Sequence, residues 1–337
     1  MNPPDSTAQP VRPRAALLAK PFPLGYAYDD STLTRLRALV EIEDHTTPPP
    51  AATPSEAELI LTGWGVPRLD AAFFQRFPRT RVVFHAAGSV RSLMTEEAWA
   101  RGVRITTAAQ VNARPVAEFT FAQIVLSLKC AFRQSRACHA ERRFARQTTP
   151  IPGAFGSTVG LISLGEIARQ VAQRLKTLDV RVLAYDPYAS AERAAACDVE
   201  LVSLDEIFSR SDVVSCHAPL LPTTRQMIRG RHLELLKDGA TFINTARGAI
   251  VAENEMIDVL TRRSSLTALL DVTDPEPPPA DSPLYTMPNV FLTPHISGSI
   301  DGECARMGHF IADEVRRHLA GEALHGEVTR TQAELLA

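Results

Sequence analysis

The feature that most constrains the fold is a regular alternation of strand and helix patterns through the second half of the chain. Short apolar runs rich in β-branched residues recur between residues 158 and 292, and stretches with helical spacing separate them. Such an alternation is typical of parallel strands joined by crossover helices. We therefore predict a doubly wound domain with a parallel sheet. Its six strands are expected at residues 158–162, 181–185, 212–216, 240–245, 266–271 and 290–292.

A less regular alternation occupies the first half. We predict strands at residues 15–19, 59–62, 81–84 and 103–106, and helices near 32–40, 69–76 and 96–101. A long helix with Pro115 in its first turn then leads into the second half. An amphipathic helix near 303–320 is too isolated to form a domain and is expected to return to the first. The predicted fold class is α/β with two doubly wound parallel-sheet domains, residues 1–112 with 296–337 and residues 113–295.

The composition excludes several classes of protein. The chain has 36 Lys and Arg against 38 Asp and Glu, a balance that argues against nucleic acid as the main partner. Its apolar runs are far shorter than the ~20 residues of a membrane span, and residues 1–14 lack the apolar core of a signal peptide. We expect no membrane partner, a disordered leader and a cytoplasmic location. The five cysteines form no Cys-x-x-Cys pair, so we expect no metal site.

The turn after residues 158–162 has the position of a dinucleotide-binding loop. Ser163 and Gly165 lie where a Gly-x-Gly-x-x-Gly motif is expected, and only its middle glycine is present. That glycine lets backbone approach a pyrophosphate, and the following helix directs its N-terminal amides at the phosphates. Asp186 ends the next strand, where a carboxylate binds ribose hydroxyls and repels a 2′-phosphate. We predict an NAD site that includes Gly165, Glu166, Ile167 and Asp186.

Three polar segments follow strands of the same sheet. They are Asn-Thr-Ala-Arg-Gly at 244–248, Asp-Val-Thr-Asp-Pro-Glu-Pro at 271–277 and Thr-Pro-His-Ile at 293–296. Because parallel strands end at one edge, these segments should gather where open α/β sheets bind ligands. They carry the residue types that hydride transfer to a 2-keto acid requires. Arg247, Glu276 and His295 lie within these segments.

These segments resemble the D-isomer-specific 2-hydroxyacid dehydrogenase family. The resemblance extends from about residue 81 to the end of the chain, and it includes His-Ala-Pro-Leu at 217–220 and Ala-Gly at 87–88. It implies a Rossmann-type NAD domain inserted in a flavodoxin-like substrate domain. The implied activity is hydride transfer between nicotinamide and a small D-2-hydroxy acid or 2-keto acid, such as glyoxylate or hydroxypyruvate.

The resemblance also implies roles for individual residues. Arg247 would bind the substrate carboxylate and keto oxygen with its guanidinium fork. His295 would protonate the oxygen that forms at C2 during reduction and accept that proton during oxidation. Glu276 would pair with His295 and raise its pKa. Ala87 and Gly88 would donate backbone N–H groups to the substrate carboxylate.

Other residues match family positions near the ligands. Trp64 is a candidate wall of the substrate pocket, although a core tryptophan is equally consistent with the sequence. Ser163 and Ala168 replace glycines of the family's turn, which puts cofactor affinity in question, and Ser297 replaces a glycine close to His295. The remaining candidates for cofactor binding are His217, Ala218, Pro219, Thr224, Thr245, Ala246, Asp271 and Gly298.

Two other functions remain compatible with the sequence. The family includes NAD-responsive transcriptional corepressors that keep similar catalytic residues, so an NAD-sensing, non-enzymatic binding module is the alternative. A nucleic-acid or protein scaffold could use the basic residues between Lys129 and Arg146, although such a charge run is more often a solvated face or an oligomer interface. Family members commonly dimerise near this region, and we expect a homodimer. The sequence leaves the identity of the hydroxy acid open.

Overall fold

The chain forms two compact units, which the computed structural model describes over residues 12–21, 25–46, 54–144 and 151–335. Unit 1 contains Met1–Asn112 and Ile300–Ala337, and unit 2 contains Ala113–Ser299. The C-terminal segment of unit 1 therefore begins at Ile300, four residues later than the start at residue 296 that the sequence predicted. The predicted disordered leader falls almost entirely outside the described residues.

Unit 1 contains five strands: β1 (Arg14–Leu17), β2 (Glu41–Asp44), β3 (Leu59–Thr62), β4 (Val82–His85) and β5 (Arg104–Thr107). They form one parallel sheet in the order β2-β1-β3-β4-β5, which is the flavodoxin-like order. Four of them overlap the predicted strands. The sequence analysis missed β2, because the polar run Glu-Ile-Glu-Asp lies at the edge of the sheet and lacks the apolar pattern of a buried strand.

Three helices connect these strands, and a side chain caps each of them. They are α1 (Asp30–Arg37), α2 (Ala71–Arg76) and α3 (Glu96–Ala100). The carboxylates of Asp29 and Asp70 and the hydroxyl of Thr95 each accept a backbone N–H from the first turn. Because the first amides of a helix have no partner within it, these caps fix where the helices begin.

A long helix, α4 (Ala109–Leu128), leads from unit 1 into unit 2, and α5 (Ala131–Glu141) follows it. The prediction that Pro115 lies in the first turn was wrong, because α4 begins six residues earlier. The Thr107 hydroxyl accepts the N–H of Ala109 at 2.9 Å and starts the helix there. Pro115 removes one helical hydrogen bond. Its buried position among Ala113, Val116 and Ala117 shows that packing maintains the helix through the proline.

No single described helix is long and apolar enough to cross a membrane. Taken together, α4 and α5 are long and apolar enough, but this holds by length and composition only, and the two helices are bent by 58° relative to each other.

Unit 2 contains a parallel sheet of seven strands: β6 (Thr158–Ile162), β7 (Arg181–Tyr185), β8 (Glu200–Leu201), β9 (Val213–Cys216), β10 (Thr241–Asn244), β11 (Thr267–Leu270) and β12 (Val290–Leu292). Their order is β12-β11-β10-β9-β6-β7-β8, the Rossmann order with one added strand. The predicted fold class is confirmed. The sequence analysis missed β8, which has two residues at the sheet edge. The helices are α6 (Glu166–Leu175), α7 (Ala191–Cys197), α8 (Leu204–Arg210), α9 (Gly230–Glu234) and α10 (Glu253–Arg262).

Each sheet is buried on both faces. In β1, Ala15 and Leu17 pack into one apolar cluster, and Ala16 packs into another. In β6, Ile162 belongs to one cluster, and Leu161 belongs to the cluster on the opposite face. Successive side chains of a strand point to opposite faces, so these continuous apolar runs require a helical layer on each side. Polar side chains are therefore confined largely to the ends of the strands.

The C-terminal segment packs within unit 1 as α11 (Cys304–Leu319) and α12 (Arg330–Leu335). The first of these agrees with the amphipathic helix predicted near residues 303–320. A Cβ on Gly308 would lie 1.8 Å from the carbonyl oxygen of Ala27, so only glycine permits this close approach of α11. The buried carboxylate of Glu314 accepts the Thr106 hydroxyl and the Gly326 N–H, each at 2.9 Å. These bonds tie the C-terminal segment to β5.

Candidate active site

The carboxyl ends of six neighbouring strands of unit 2 form one row. In register across the sheet, the paired residues are Tyr185, Ile162, Cys216, Asn244, Leu270 and Leu292. The residue after each of these lies at the same edge. The predicted polar segments therefore come together, as expected of parallel strands. The first residues beyond the row are Asp186, Ser163, His217, Thr245, Asp271 and Thr293.

His295 and Glu276 form a close pair at this edge. Nδ1 of His295 lies 2.6 Å from Oε1 of Glu276, and the two side chains are 43% and 42% exposed. Because the carboxylate accepts only, Nδ1 carries the donated proton in this pair. The second ring nitrogen of His295, Nε2, is then the atom that can exchange a proton with a ligand.

Asp271 holds the turn that carries His295. Its buried carboxylate accepts the Thr293 hydroxyl at 2.6 Å, the Ile296 N–H at 2.9 Å and the Ser297 N–H at 2.9 Å. The N–H of His295 donates to the Asp271 carbonyl oxygen at 3.0 Å. His295 has a φ of +54°, which is uncommon for a residue other than glycine. The bonds of Asp271 stabilise this left-handed backbone.

Arg247 follows β10 in a turn that Asn244 shapes. The side-chain carbonyl of Asn244 accepts the Ala246 N–H at 3.0 Å, and its amide donates to the Arg247 carbonyl oxygen at 3.1 Å. Burial lowers the pKa of the Arg247 guanidinium, and the negative charge of Glu276 opposes that shift. A guanidinium still keeps its charge at neutral pH. Arg247 is therefore a partly buried cation within electrostatic reach of the His295–Glu276 pair.

Gly248 brings the segments of Arg247 and Glu276 together. A Cβ on Gly248 would lie 2.0 Å from both the carbonyl carbon and the carbonyl oxygen of Thr273. No larger residue fits there without displacing the Thr273 backbone. The loop of Thr273 is also held by Glu253, whose carboxylate accepts the Asp274 N–H at 2.9 Å. Close backbone contact thus fixes the loop that leads to Glu276.

The turn after β6 has the shape of a dinucleotide-binding loop despite its missing glycines. Ser163 has a φ of +75°, the left-handed conformation that glycine adopts most easily. Asp186 accepts the Leu164 N–H at 2.8 Å with one oxygen and the Tyr188 N–H at 2.8 Å with the other. The face of Gly165 is open, since an added Cβ would meet only Ser163 Oγ, at 3.8 Å.

The residues after Gly165 form the first turn of α6. Glu166 is exposed, and its carboxylate pairs with Arg169 and accepts from Gln170 at 3.0 Å. Ile167 is partly buried and packs against the apolar core of the sheet. Ala168, in the place of the last glycine, is fully buried. Its small side chain permits the helix to pack against the sheet.

The segment after β9 contains a buried histidine. His217 is 8% exposed, burial lowers its pKa to about 4, and neither ring nitrogen has a partner among the described residues. Ala218 is buried and Pro219 is half-buried. Thr224 closes this loop, since its hydroxyl donates to the Pro219 carbonyl at 2.5 Å and accepts the Leu221 N–H at 2.8 Å.

The other cofactor candidates lie at the ends of the neighbouring strands. Thr245 and Ala246 are buried beyond β10, and the Thr245 hydroxyl lies 3.1 Å from that of Thr120 in α4. Gly298 is half-buried in the segment after His295. The structure therefore places every cofactor candidate of unit 2 at or beyond a carboxyl strand end, or in the first turn of α6.

The three substrate candidates of unit 1 lie beyond β3 and β4. Ala87 is buried and Gly88 is half-buried in the loop after His85. Trp64 is half-buried and packs against the apolar cluster around β1.

Sequence reasoning missed the side chains that support the site. The Thr293 hydroxyl forms a hydrogen bond that holds the segment of His295, and the Asn244 side chain does the same for the segment of Arg247. The Glu253 carboxylate holds the loop that precedes Glu276. An asparagine at the end of a strand is a recognisable signal for a tight turn. No comparable signal exists for Thr293 or Glu253, because their partners lie 22 and 21 residues away in the chain.

Residues 122–297 match the family described as "D-isomer specific 2-hydroxyacid dehydrogenase, NAD binding domain". This match covers more than half of the chain and includes Arg247, Glu276 and His295. The chain belongs to the D-isomer specific 2-hydroxyacid dehydrogenase family. Its unit 2 contains the NAD-binding domain of that family, in agreement with the predicted cofactor.

Curated members of the dehydrogenase family share about a third of their residues with the chain. The D-3-phosphoglycerate dehydrogenase of Mycobacterium bovis is 36% identical over 275 residues, which cover 81% of this chain and 51% of that protein. The (S)-sulfolactate dehydrogenase of Chromohalobacter salexigens is 32% identical over 276 residues, which cover 79% and 89%. The chain thus spans about half the length of phosphoglycerate dehydrogenases such as the first.

Solved structures of similar proteins share the fold. A protein from Thermus thermophilus is 28% identical with a TM-score of 0.71, and the match covers 94% of this chain and 100% of that one. The D-mandelate dehydrogenase of Rhodotorula graminis is 22% identical with a TM-score of 0.77, over 95% and 98% of the two chains. At that identity the second match supports the fold alone.

Proposed function

We propose that the chain is an NAD-dependent dehydrogenase that transfers a hydride between nicotinamide and a small D-2-hydroxy acid or 2-keto acid. The observation that carries the proposal is the His295–Glu276 pair, at 2.6 Å, on the carboxyl edge of an NAD-binding sheet. Arg247 follows the neighbouring strand as a partly buried cation. An acid–base group, its carboxylate partner and a guanidinium are the side chains that this reduction needs.

In the proposed reduction, His295 donates a proton to the oxygen at C2 of the keto acid. Glu276 accepts from Nδ1 and so orients Nε2, the atom that gives up the proton. Arg247 binds the carboxylate and polarises the keto oxygen, because its fork of N–H groups stabilises negative charge that develops there. Bound NADH supplies the hydride. In the direction of oxidation, His295 accepts the proton from the hydroxyl group.

The edge of the unit 2 sheet fits a dinucleotide. The open face of Gly165 admits a phosphate close to the backbone at the start of α6. The buried ring of His217 has two nitrogens without a protein partner in the described chain, and buried polar atoms of this kind normally have one. We propose that a bound cofactor supplies it. Asp186 favours NAD over NADP, because a carboxylate at the end of β7 repels a 2′-phosphate.

In unit 1, we assign Ala87 and Gly88 to the substrate carboxylate. Neither of their N–H groups donates to an acceptor within the described chain. The side of Gly88 is also open, since an added Cβ would approach only the Asn112 side-chain nitrogen, at 4.0 Å. Two neighbouring amides of this kind are suited to an anionic group.

The proposal is tested by NADH oxidation against a panel of 2-keto acids, followed by absorbance. Wild-type protein should turn over at least one of them, with NADPH a poorer cofactor. His295→Ala should lower kcat by about 10²–10⁴-fold, because a positioned general acid contributes that much. Glu276→Gln should lower kcat as well, since a neutral amide orients the His295 ring through a weaker hydrogen bond than a charged carboxylate does.

The matched control for His295→Ala is His325→Ala, which removes an exposed imidazole of unit 1. Its kcat and KM should equal those of the wild type. Titration of NADH by fluorescence completes the comparison. Wild-type protein that binds NADH and reduces no keto acid would contradict the proposed reaction and favour an NAD-sensing binding module.

The panel is chosen from the chemistry of the relatives as well as from the predicted substrates. Phosphoglycerate and sulfolactate dehydrogenases are named for substrates that carry a second anionic group. Glyoxylate and hydroxypyruvate lack such a group. Comparing kcat/KM between 2-keto acids with and without a second anion assigns the substrate class, because a buried partner for that anion discriminates strongly against substrates that lack it.

We also propose that the chain forms a homodimer through the region around α5. Three large apolar side chains in this part of unit 2 are exposed: Leu126 at 44%, Phe144 at 94% and Phe155 at 87%. Aromatic residues of this exposure are enriched in protein interfaces. Light scattering at micromolar concentration should give twice the chain mass. A mass of 36.8 kDa would contradict the dimer.

A further inference from the structure

We propose that Glu253 is a positioning residue of the reaction, which acts through Glu276 by fixing the loop that carries it. Glu253 is the first residue of α10, and Glu276 lies in the loop beyond β11. The inference rests on the proposed function, in which Glu276 orients the ring of His295. Glu253 itself contacts neither the substrate nor the cofactor in this scheme.

Residues 274–277 are the part of this loop that packing does not hold. All four are exposed, whereas Thr273 immediately before them is 8% exposed and lies against Gly248. A buried side chain is restrained by many contacts, and an exposed stretch of chain lacks that restraint. The position of Glu276 relative to His295 therefore depends on the few hydrogen bonds that this stretch forms.

Two hydrogen bonds restrain the main chain of this stretch within the described structure, and Glu253 supplies one of them. The Thr273 hydroxyl donates to the Pro275 carbonyl oxygen at 2.8 Å. Oε2 of Glu253 accepts the Asp274 N–H at 2.9 Å. Because two of the four residues are prolines, which have no N–H, Asp274 carries one of only two main-chain donors there. Glu253 thus ties the stretch to α10, an element outside the loop.

The ion pair of the Asp274 side chain is a weaker restraint. Its carboxylate lies 3.5 Å from the Arg225 guanidinium, and the two side chains are 44% and 56% exposed. Water and salt screen pairs of this exposure, so they contribute little to the position of a loop. The N–H bond to the partly buried Glu253 is therefore the main tie between residues 274–277 and another element of unit 2.

This bond requires a hydrogen-bond acceptor at residue 253 rather than a charge. Burial raises the pKa of the Glu253 carboxyl, the bond from the Asp274 N–H lowers it, and the negative charge of Asp274 raises it again. Because the pKa is raised overall, the surroundings disfavour the charged form. A glutamine carbonyl oxygen accepts the same N–H without a charge. Glu253→Gln should therefore preserve the position of the loop, and Glu253→Ala should release it.

Glu255 provides a matched control in the same turn of helix. Both glutamates belong to the first turn of α10, and Oε2 of Glu255 also accepts a backbone N–H, that of Gly230 at 2.8 Å. Gly230 begins α9 and does not belong to the loop of Glu276. If Glu253 only stabilised the start of α10, Glu253→Ala and Glu255→Ala would both lower stability and leave kcat unchanged.

The experiment measures steady-state kinetics with the best keto acid of the panel, together with NADH titration and thermal unfolding. Glu253→Ala should lower kcat by about tenfold to 10²-fold, because a displacement of about 1 Å at a catalytic group costs up to 10²-fold. KM for the keto acid and Kd for NADH should stay within about threefold, since Glu253 binds neither ligand. Glu253→Gln, Glu255→Ala and Arg225→Ala should keep kcat within about twofold.

A double-mutant cycle shows whether Glu253 acts through Glu276. In the Glu276→Ala background the carboxylate that the loop positions is absent, so Glu253→Ala should lower kcat further by less than about twofold. Losses that multiply in the double variant overturn the proposal and leave the proposed function intact. A wild-type kcat in Glu253→Ala, or an equal loss in Glu253→Gln or Glu255→Ala, overturns it in the same way.

The cycle does not depend on one substitution at residue 253. If Glu253→Ala does not fold, Glu253→Leu takes its place, because leucine fills the space of the side chain without an acceptor, and the same outcomes apply. Wild-type protein that reduces no keto acid would remove the proposed function, and the inference with it.

Discussion

Asp271 holds His295 in a left-handed backbone conformation through the residues on either side of it. The carboxylate accepts from Thr293, Ile296 and Ser297, and the His295 N–H donates to the Asp271 carbonyl oxygen. The position of Asp271 after β11 indicates a residue of the cofactor site. Its three bonds and 1% exposure add a role in orienting His295.

Asp271→Asn should therefore reduce kcat by about 10²-fold, because a displacement of about 1 Å at a catalytic group costs that much. The amide would turn an N–H toward a backbone N–H in place of an acceptor, which should destabilise unit 2 by roughly 1–3 kcal/mol. Stopped-flow and urea unfolding measure the two effects. Thr293→Val, which removes one of the three donors, should show a smaller loss of both. Equal kcat in wild type and Asp271→Asn would refute the orienting role.

Gly248→Ala should inactivate the protein through the backbone of Thr273. The added Cβ would lie 2.0 Å from two atoms of that residue, and neither belongs to a flexible side chain. We expect a loss of stability of at least about 1–3 kcal/mol, the usual cost of inserting a methyl group into a packed site, and a large fall in kcat from displacement of Glu276. Urea unfolding and kinetics test both.

The control for that substitution is Gly302→Ala. Gly302 has no atom within 4 Å of an added Cβ, and its φ is not left-handed. Stability within about 0.5 kcal/mol of the wild type is expected there. A similar loss in both variants would show that the close approach of Thr273 is not the cause.

Ser163→Gly should stabilise the dinucleotide turn relative to Ser163→Ala. Ser163 has a φ of +75°, and its hydroxyl lies a long 3.4 Å from Asp186. A left-handed conformation costs a residue with a Cβ roughly 1–2 kcal/mol. Glycine avoids this cost, but it loses more conformational freedom on folding, and that loss cancels part of its advantage. We expect Ser163→Gly to be more stable than Ser163→Ala by about 1 kcal/mol, with NADH affinity at least equal to wild type. The opposite order of melting temperatures would show that the hydroxyl group is what holds the turn.

Stability should fall between pH 6.5 and about 4 because of buried neutral histidines. Burial lowers the pKa of His85 from 6.5 to about 4, so in this window the unfolded chain binds a proton that the folded protein does not. Stability therefore rises with pH here and is fully present above about 6.5. One pKa unit corresponds to about 1.4 kcal/mol, so His85 contributes on the order of 3 kcal/mol.

Urea unfolding across this range tests the assignment. His217 has a pKa lowered to about 4 by the same cause, and the pKa values of His232 and His318 are lowered as well. His85→Gln removes one titrating group, so its free energy of unfolding should depend less steeply on pH than that of the wild type. Parallel curves would exclude His85 as a source of the dependence.

Much of the fold was predictable because the signals are local. The strands at β6, β7, β9, β10, β11 and β12 are continuous apolar runs, and their crossover helices imply a parallel sheet. The edge strands β2 and β8 could not be found this way, since one is polar and the other has two residues. The helix start near Ala109 was missed because buried packing on α4 outweighs the preference of Pro115 for a first turn.

The sequence by itself determined which residues follow the strands, and so that Arg247, Glu276 and His295 would come to one edge. Only the tertiary structure decided how these residues are held. Asp271 holds the turn that carries His295, and Gly248 lies directly against the backbone of Thr273. The tertiary structure also buries His217 with no partner in the described chain. The physical reason is distance along the chain. Apolar periodicity acts between near neighbours, whereas the bonds of Asp271 to Ile296 and Ser297 join residues 25 and 26 positions apart, which meet only after the strands have paired.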